Sequence, residues 1–408
     1  MTLNRQLTDN DDLGTAVTTC RLLWPGYQVH AGEGRAGRSE AVREFLVVPN
    51  HGPPRLLLPA AHRRAAARIA AGVNTGVGAR GRLLRIALAG ASLVGAMDRW
   101  APRRLLIDAA GSDLTGETIE GELRRVTGED LTVTFSLGTA RANQKPVLTA
   151  LGSSGRARFF VKIGHNPLTK SLVAREAESL RTVSGQPTST FTAPRCVHHG
   201  SWNDVDLLVM TALPSARLVG WQTAKLPLPA MRDVARLGEI RIAGLQGSDF
   251  WRDLSSLEGI LPSPGRDELE HALAVTRDIH GWTAVRLASW HGDWTPDNMA
   301  RHRRQLLLWD WERFQVGVPL GFDVAHYCFQ ATRYKRDWAA ARAVLDTQLP
   351  ATLRDFGVPA DQVQLTIVLY LATIAARYLH DAHVLNRDSL PIATSQTLSA
   401  LAHHVRAL

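Results

Sequence analysis

Residues 290–312 read WHGDWTPDNMARHRRQLLLWDWE, and this stretch decides the reading of the whole chain. Gly292 lets the backbone bend, so a short irregular segment presents the carboxylate of Asp293 and then the neutral oxygen of Asn298. The run QLLLW at 305–309 reads as a strand buried on both faces, with Asp310 at its end. A carboxylate there is costly unless it meets a cation. Mg²⁺ is the simplest such cation, because it takes hard oxygen ligands and shares them with phosphates. Asn298 and Asp310 then hold metal, and Asp293 stays free to accept a proton from an attacking hydroxyl.

These residues resemble the HGDxxxxN and D-W-E signatures of the aminoglycoside phosphotransferase and choline kinase-like family, which is related in fold to the protein kinases. His291, Gly292, Asp293, Asn298 and Asp310 meet that pattern position by position. The resemblance spans about residues 126–408. It implies an α+β, bilobal, protein-kinase-like fold with a small antiparallel β lobe and a large helical lobe. On that reading residues 1–125 are an N-terminal α/β extension, 126–212 the nucleotide-binding lobe, and 213–408 the helical lobe with the catalytic loop. Asp323, in PLGFDVAHY, matches the family's aspartate that braces the catalytic loop. His291 is assigned a bracing role as well.

The same resemblance requires an upstream lysine, a glutamate to hold it and a turn over the phosphates. Lys162, in RFFVKIG at the end of an apolar strand, sits where the lysine belongs. On the helix that follows, Leu172, Val173, Leu180 and Val183 share one face, by the advance of roughly 100° per residue, and Glu176 falls near its middle. Glu178 points elsewhere. An acid centred on an apolar stripe needs a cationic partner, and Lys162 is the obvious one. SLGTARANQKP at 136–146 lies where the nucleotide loop belongs, but offers only Gly138 rather than a G-x-G-x-x-G run. Arg141 and Lys145 fit either phosphate contact or a solvated hairpin tip. LLVMTALP at 207–214 resembles the strand and hinge that bond adenine, with Met210, Thr211 and Leu213 as its candidates.

The surrounding chain is consistent with an enzyme of this kind. Its 408 residues exceed one compact core, and 45% hydrophobic with 21% charged residues is globular composition. The net charge of +9 favours anionic partners, yet the arginines are dispersed, and the Arg-rich segment at 61–86 has no aromatic platform for bases. Nucleic acid is therefore disfavoured. Cys20, Cys196 and Cys328 show neither CxxC spacing nor a disulfide framework, which fits a reducing cytoplasm. The apolar stretch at 83–97 is too short to span a bilayer and reads as a buried helix or strand-turn segment. Strands are expected within 44–60, three more within 131–164 and another at 205–213. Helices are expected at about 61–72, 170–183, 229–245, 266–281, 336–348, 361–380 and 391–406.

The expected function is an ATP- or GTP-dependent, Mg²⁺-requiring small-molecule O-phosphotransferase with an alcohol acceptor. Asp293 serves as base, Asn298 and Asp310 as metal ligands, Lys162 as phosphate clamp and Glu176 as its orienter. The tryptophans around the site, Trp290, Trp294, Trp309 and Trp311, are read as packing, with Trp294, next to the base, the best placed of them to touch the acceptor. The competing readings are a nucleotide-binding scaffold without turnover in a biosynthetic assembly, and a kinase acting on a peptide or glycan precursor. Acceptor identity and oligomeric state stay open.

Overall fold

The computed structural model describes residues 3–33, 41–49, 52, 54–72, 87, 89–96, 103–108, 117–136, 145–186, 188–214, 217–218, 226–259, 261, 265–333, 337–384 and 390–408. The chain divides into two compact units, Met1–Ala177 with Pro194–Leu213, and Glu178–Ala193 with Pro214–Leu408.

The first unit is built on one nine-stranded antiparallel sheet. Its elements in chain order are α1 (Leu3–Leu23), β1 (Gln28–Glu33), β2 (Ala41–Val48), β3 (Leu56–Pro59), α2 (Arg63–Gly72), β4 (Arg103–Asp108), α3 (Ile119–Thr127), β5 (Thr132–Ser136), β6 (Val147–Leu151), β7 (Ala157–Gly164) and α4 (Pro167–Ser184). A two-residue strand β8 (Phe191–Thr192) belongs to the second unit, and β9 (Cys196–Trp202) and β10 (Val205–Thr211) return to the first. The strand order is β1-β4-β2-β3-β5-β6-β7-β10-β9. Alternation drives it: Phe45, Val47, Leu57, Leu105, Ile107, Val133 and Phe135 turn to one core, while Leu46, Leu56 and Leu58 turn to a second on the opposite face. Trp24, Phe45 and Phe135 pack ring to ring at 5.3–5.8 Å in the first core. The sheet therefore begins at residue 28 rather than near 126. The β3–β5 pairing, Leu57 opposite Phe135, joins the strands before residue 125 to those after it.

The second unit is mainly helical around short sheets. It contains β11 (Arg217–Leu218), α5 (Leu228–Ala235), β12 (Arg241–Gly244), α6 (Asp249–Ser255), α7 (Arg266–His280), β13 (Ala284–Trp290), β14 (Met299–His302), β15 (Gln305–Leu308), β16 (Gln315–Pro319), α8 (Phe322–Arg333), α9 (Trp338–Thr347), α10 (Leu349–Phe356), α11 (Val363–Val384) and α12 (Ile392–Val405). The sheets run β11-β14-β15-β8 and β12-β13-β16. The single helix expected over 229–245 is instead α5 followed by β12, which pairs with β13. Gly238 interrupts it, where a Cβ would come within 2.9 Å of Ser289 Oγ. Helix α11 is long and apolar enough to cross a membrane by length and composition, but most of it is buried inside the protein as a core helix. The segment at 83–97 is described at 87 and 89–96, helical over 89–94. Ala91 and Ser92 are buried there, and Leu93 and Val94 are exposed, so it is not buried throughout.

Candidate active site

In the first unit, β7, third from the β9 edge of the sheet, carries Lys162 into register with Val147 of β6 and Leu208 of β10. Its Nζ donates to Glu176 Oε1 at 2.8 Å and Oε2 at 2.6 Å, and Glu176 is fully buried on α4. Glu178 is exposed. Burial of a carboxylate is tolerable here because both of its oxygens meet the ammonium, and a buried pair of this geometry fixes the lysine in one position. Met210 lies opposite Phe160 and Cys196, and Thr211 N donates to Arg195 O at 3.0 Å while its Oγ1 accepts from Arg195 N at 2.9 Å. Leu213 is the first of the three hinge candidates beyond the sheet ladder. Gly138 and Arg141 lie outside the described residues.

In the second unit the opening stretch folds as β13, a tight turn, the hairpin β14–β15 and a 3₁₀ turn. The basic segment RHRR supplies the hairpin's turn, with Arg303 in the left-handed region at φ 55°. Met299 pairs with Leu308, so the open end of the hairpin sets Asn298 beside Trp309, whose N donates to Asn298 O at 3.1 Å. The two proposed metal-ligand segments are thus tied together by backbone. Asp310 follows at φ 70°, a left-handed conformation that Asp tolerates better than most residues, and is half-buried.

The turn before Asp293 is held from several sides. Asp323, on α8, accepts from His291 N at 2.8 Å and Gly292 N at 3.2 Å. Burial pushes its carboxyl up to about 7, against the pull of those two backbone donors. Arg377, on α11, donates to Gly292 O at 2.7 Å and lies over the Trp290 ring at 5.1 Å. Gly292 sits at φ 82°, and a Cβ there would overlap the Arg313 carbonyl. His291 is fully buried, and burial pushes its imidazole down to about 4, so it is neutral. Asp293 N donates to its Nδ1 at 3.3 Å, which leaves the Nε2 hydrogen to reach Trp309 O at 3.0 Å. One imidazole therefore links the HGD turn to the end of β15.

Asp293 itself is held at both oxygens. Asn298 Nδ2 donates to Asp293 O at 2.8 Å and to Oδ2 at 3.0 Å. An amide nitrogen so engaged leaves Oδ1 as the Asn298 atom that could meet a metal. His326, on α8, meets Asp293 Oδ1 at 3.3 Å through Nε2, and Tyr370 OH meets His326 Nδ1 at 3.3 Å. Burial pushes the His326 imidazole down and the Tyr370 hydroxyl well up, so both are neutral. The proton order is then fixed: Tyr370 donates to Nδ1, and the Nε2 hydrogen points at the carboxylate. Burial opposes the Asp293 charge, but the His326 hydrogen bond and the charges around it, Arg377 among them, outweigh it and hold the carboxyl well below the usual carboxylate range.

His326, Tyr370 and Arg377 were invisible to motif reading, because they sit at ordinary positions of amphipathic helices and gain their roles only when α8 and α11 pack. The nearest sequence signal was His326 three residues after Asp323, on the same helical face. Trp294 does not face an acceptor: it is fully buried, as are Trp290 and Trp311, and it packs against the His291 ring at 5.8 Å. The packing read for these tryptophans therefore holds for these three, and the acceptor contact open to Trp294 from its place beside Asp293 does not.

No family model matches the chain, and no curated protein matches it. Solved structures similar to it include a thermostable mutant of the aminoglycoside phosphotransferase APH(4)-Ia in apo form, at 12% identity and TM-score 0.46, covering 71% of this chain and 98% of that one. A GDP and kanamycin complex of APH(2″)-IIIa is similar at 13% identity and TM-score 0.45, covering 70% and 97%. The amicoumacin kinase hAmiN, in complex with AMP-PNP, Ca²⁺ and Ami, is similar at 11% identity and TM-score 0.42, covering 67% of this chain and 88% of that one.

Proposed function

We propose that the chain is an ATP- or GTP-dependent, Mg²⁺-requiring phosphotransferase that moves a γ-phosphoryl group to an alcohol. The observation that carries this reading is the double engagement of Asn298, whose amide nitrogen steadies Asp293 while its backbone oxygen ties it to the Asp310 segment. A carboxylate base and an oxygen-only ligand pair on one braced turn suit phosphoryl transfer, where positioning and charge neutralisation dominate.

Asn298 Oδ1 and the Asp310 carboxylate hold the metal, which neutralises phosphate charge when bound. Asp293 accepts the hydrogen bond of the acceptor hydroxyl and aligns its oxygen with phosphorus. As the new O–P bond forms and the bond to the nucleoside diphosphate breaks, the proton passes to Asp293. A carboxyl held so low is a weak base, so it orients early and takes the proton late. His326 and Asn298 fix the carboxylate plane for that role. Lys162, steadied by Glu176, clamps nucleotide phosphate.

Calorimetric titration of ATP with and without Mg²⁺ tests the ligand assignment. The intact protein should bind ATP more tightly with the metal, and Asp310→Ala should lose that dependence. Superimposable Mg²⁺ responses in the two proteins would remove Asp310 from the metal site.

A further inference from the structure

Across helices α8 and α11 a series of side-chain contacts runs from Asp293 through buried residues to a half-buried arginine. Next to Asp293 is His326, and behind His326 is Tyr370, both buried. One turn further along α8, Gln330 Nε2 donates to Tyr378 OH at 3.1 Å. A turn beyond that lies Arg333, half-buried, with its guanidinium 5.5 Å from the Tyr378 ring centroid and 5.7 Å from that of Trp338. Seven residues separate His326 from Arg333, which places them within about 20° on one helical face and about 10 Å apart along the axis.

Arg333 differs from its charged neighbours. Arg313 pairs with Asp381 at 3.1 Å, and Arg377 is spent on the Gly292 carbonyl. Arg333 makes no ion pair among the described residues, and is held instead by two aromatic faces. Stacking fixes the plane of a guanidinium while leaving its N–H donors at the edge. Such a group is preorganised for a carboxylate or phosphate, which it can meet in a fork.

We propose that the acceptor alcohol carries an anionic group, a carboxylate or a phosphate, which Arg333 receives about two helical turns from the hydroxyl held by Asp293. This rests on the phosphotransfer reading and adds the charge class of the acceptor to it. A cation at Arg333 disfavours a polycationic substrate by like-charge repulsion and attracts an anion.

The test fills the nucleotide site with AMP-PNP and Mg²⁺ and then titrates glycerol 3-phosphate, glycerate and neutral glycerol, following tryptophan fluorescence and heat. At least one anion should bind saturably and more tightly than glycerol, and whichever binds better distinguishes phosphate from carboxylate. Arg333→Gln should weaken that binding at least tenfold with little change in melting temperature, and Arg333→Lys should restore part of it. Anions that bind no better than glycerol, or that bind Arg333→Gln as they bind the intact protein, would overturn the proposal. Failure of AMP-PNP itself to bind the intact protein would count instead against the phosphotransfer reading.

Discussion

Glu176 and Glu178 are two residues apart on α4 and live in opposite environments, one fully buried against Lys162 and one exposed. Replacing a buried carboxylate by an amide of the same shape leaves an ammonium poorly compensated. Glu176→Gln should therefore impair ATP use by about 1 to 3 kcal/mol in kcat/KM, whereas Glu178→Gln should stay within about 0.5 kcal/mol. Steady-state kinetics of the two variants provide the comparison, and equal losses would mean that the pair does not position the clamp. At this scale the sequence was informative wherever a residue breaks a local pattern. Glu176 interrupts an apolar stripe and Asp310 ends an apolar run, so each announces a partner. His326, Tyr370, Arg377 and Arg333 break no pattern, and no reading of a single helix could have joined them to Asp293.

Among the elements, the hairpin β14–β15 does the assembling. Twelve positions separate Asn298 from Asp310 in sequence, yet antiparallel pairing of Met299 with Leu308 brings their backbones together at the hairpin's open end. The buried run LLL and the basic turn were legible, since a strand and a polar reversal follow from composition. The role of His291 as a strut between the HGD turn and Trp309 O was legible only as a brace without a stated partner. Gly292 is where the element leaves least freedom, because its left-handed backbone and its closeness to the Arg313 carbonyl both exclude a side chain. Gly292→Ala should cost roughly 2 to 4 kcal/mol of stability and depress turnover with it. Denaturant unfolding checks the first and ADP formation the second, and wild-type values in both would show that the turn relaxes easily. The misjudged helix over 229–245 has the opposite origin: its apolar positions suit either period, and Gly238 with tertiary pairing to β13 decides for a strand.

For the whole molecule, the main departure from the sequence reading is the continuity of the first unit. Strands before residue 125 enter the same sheet as the Lys162 strand, and Trp24, Phe45 and Leu57 share a core with Val133 and Phe135. Such strands were hard to place because they are short and widely spaced, and their partners lie far along the chain. A chain restricted to 126–408 would expose the β5 edge and half of an aromatic core. It is expected to aggregate or stay partly unfolded, as judged by solubility and near-UV circular dichroism; a soluble, cooperatively melting fragment would show that the early strands are dispensable. The remaining whole-molecule property is the proposed activity, and the proposal rests on Asp293. With Mg²⁺, ATP and a phosphorylatable alcohol, transfer of the labelled γ-phosphoryl group should fall at least about a hundredfold in Asp293→Asn, while ATP affinity changes little. Transfer at the wild-type rate by Asp293→Asn would contradict the account at its centre.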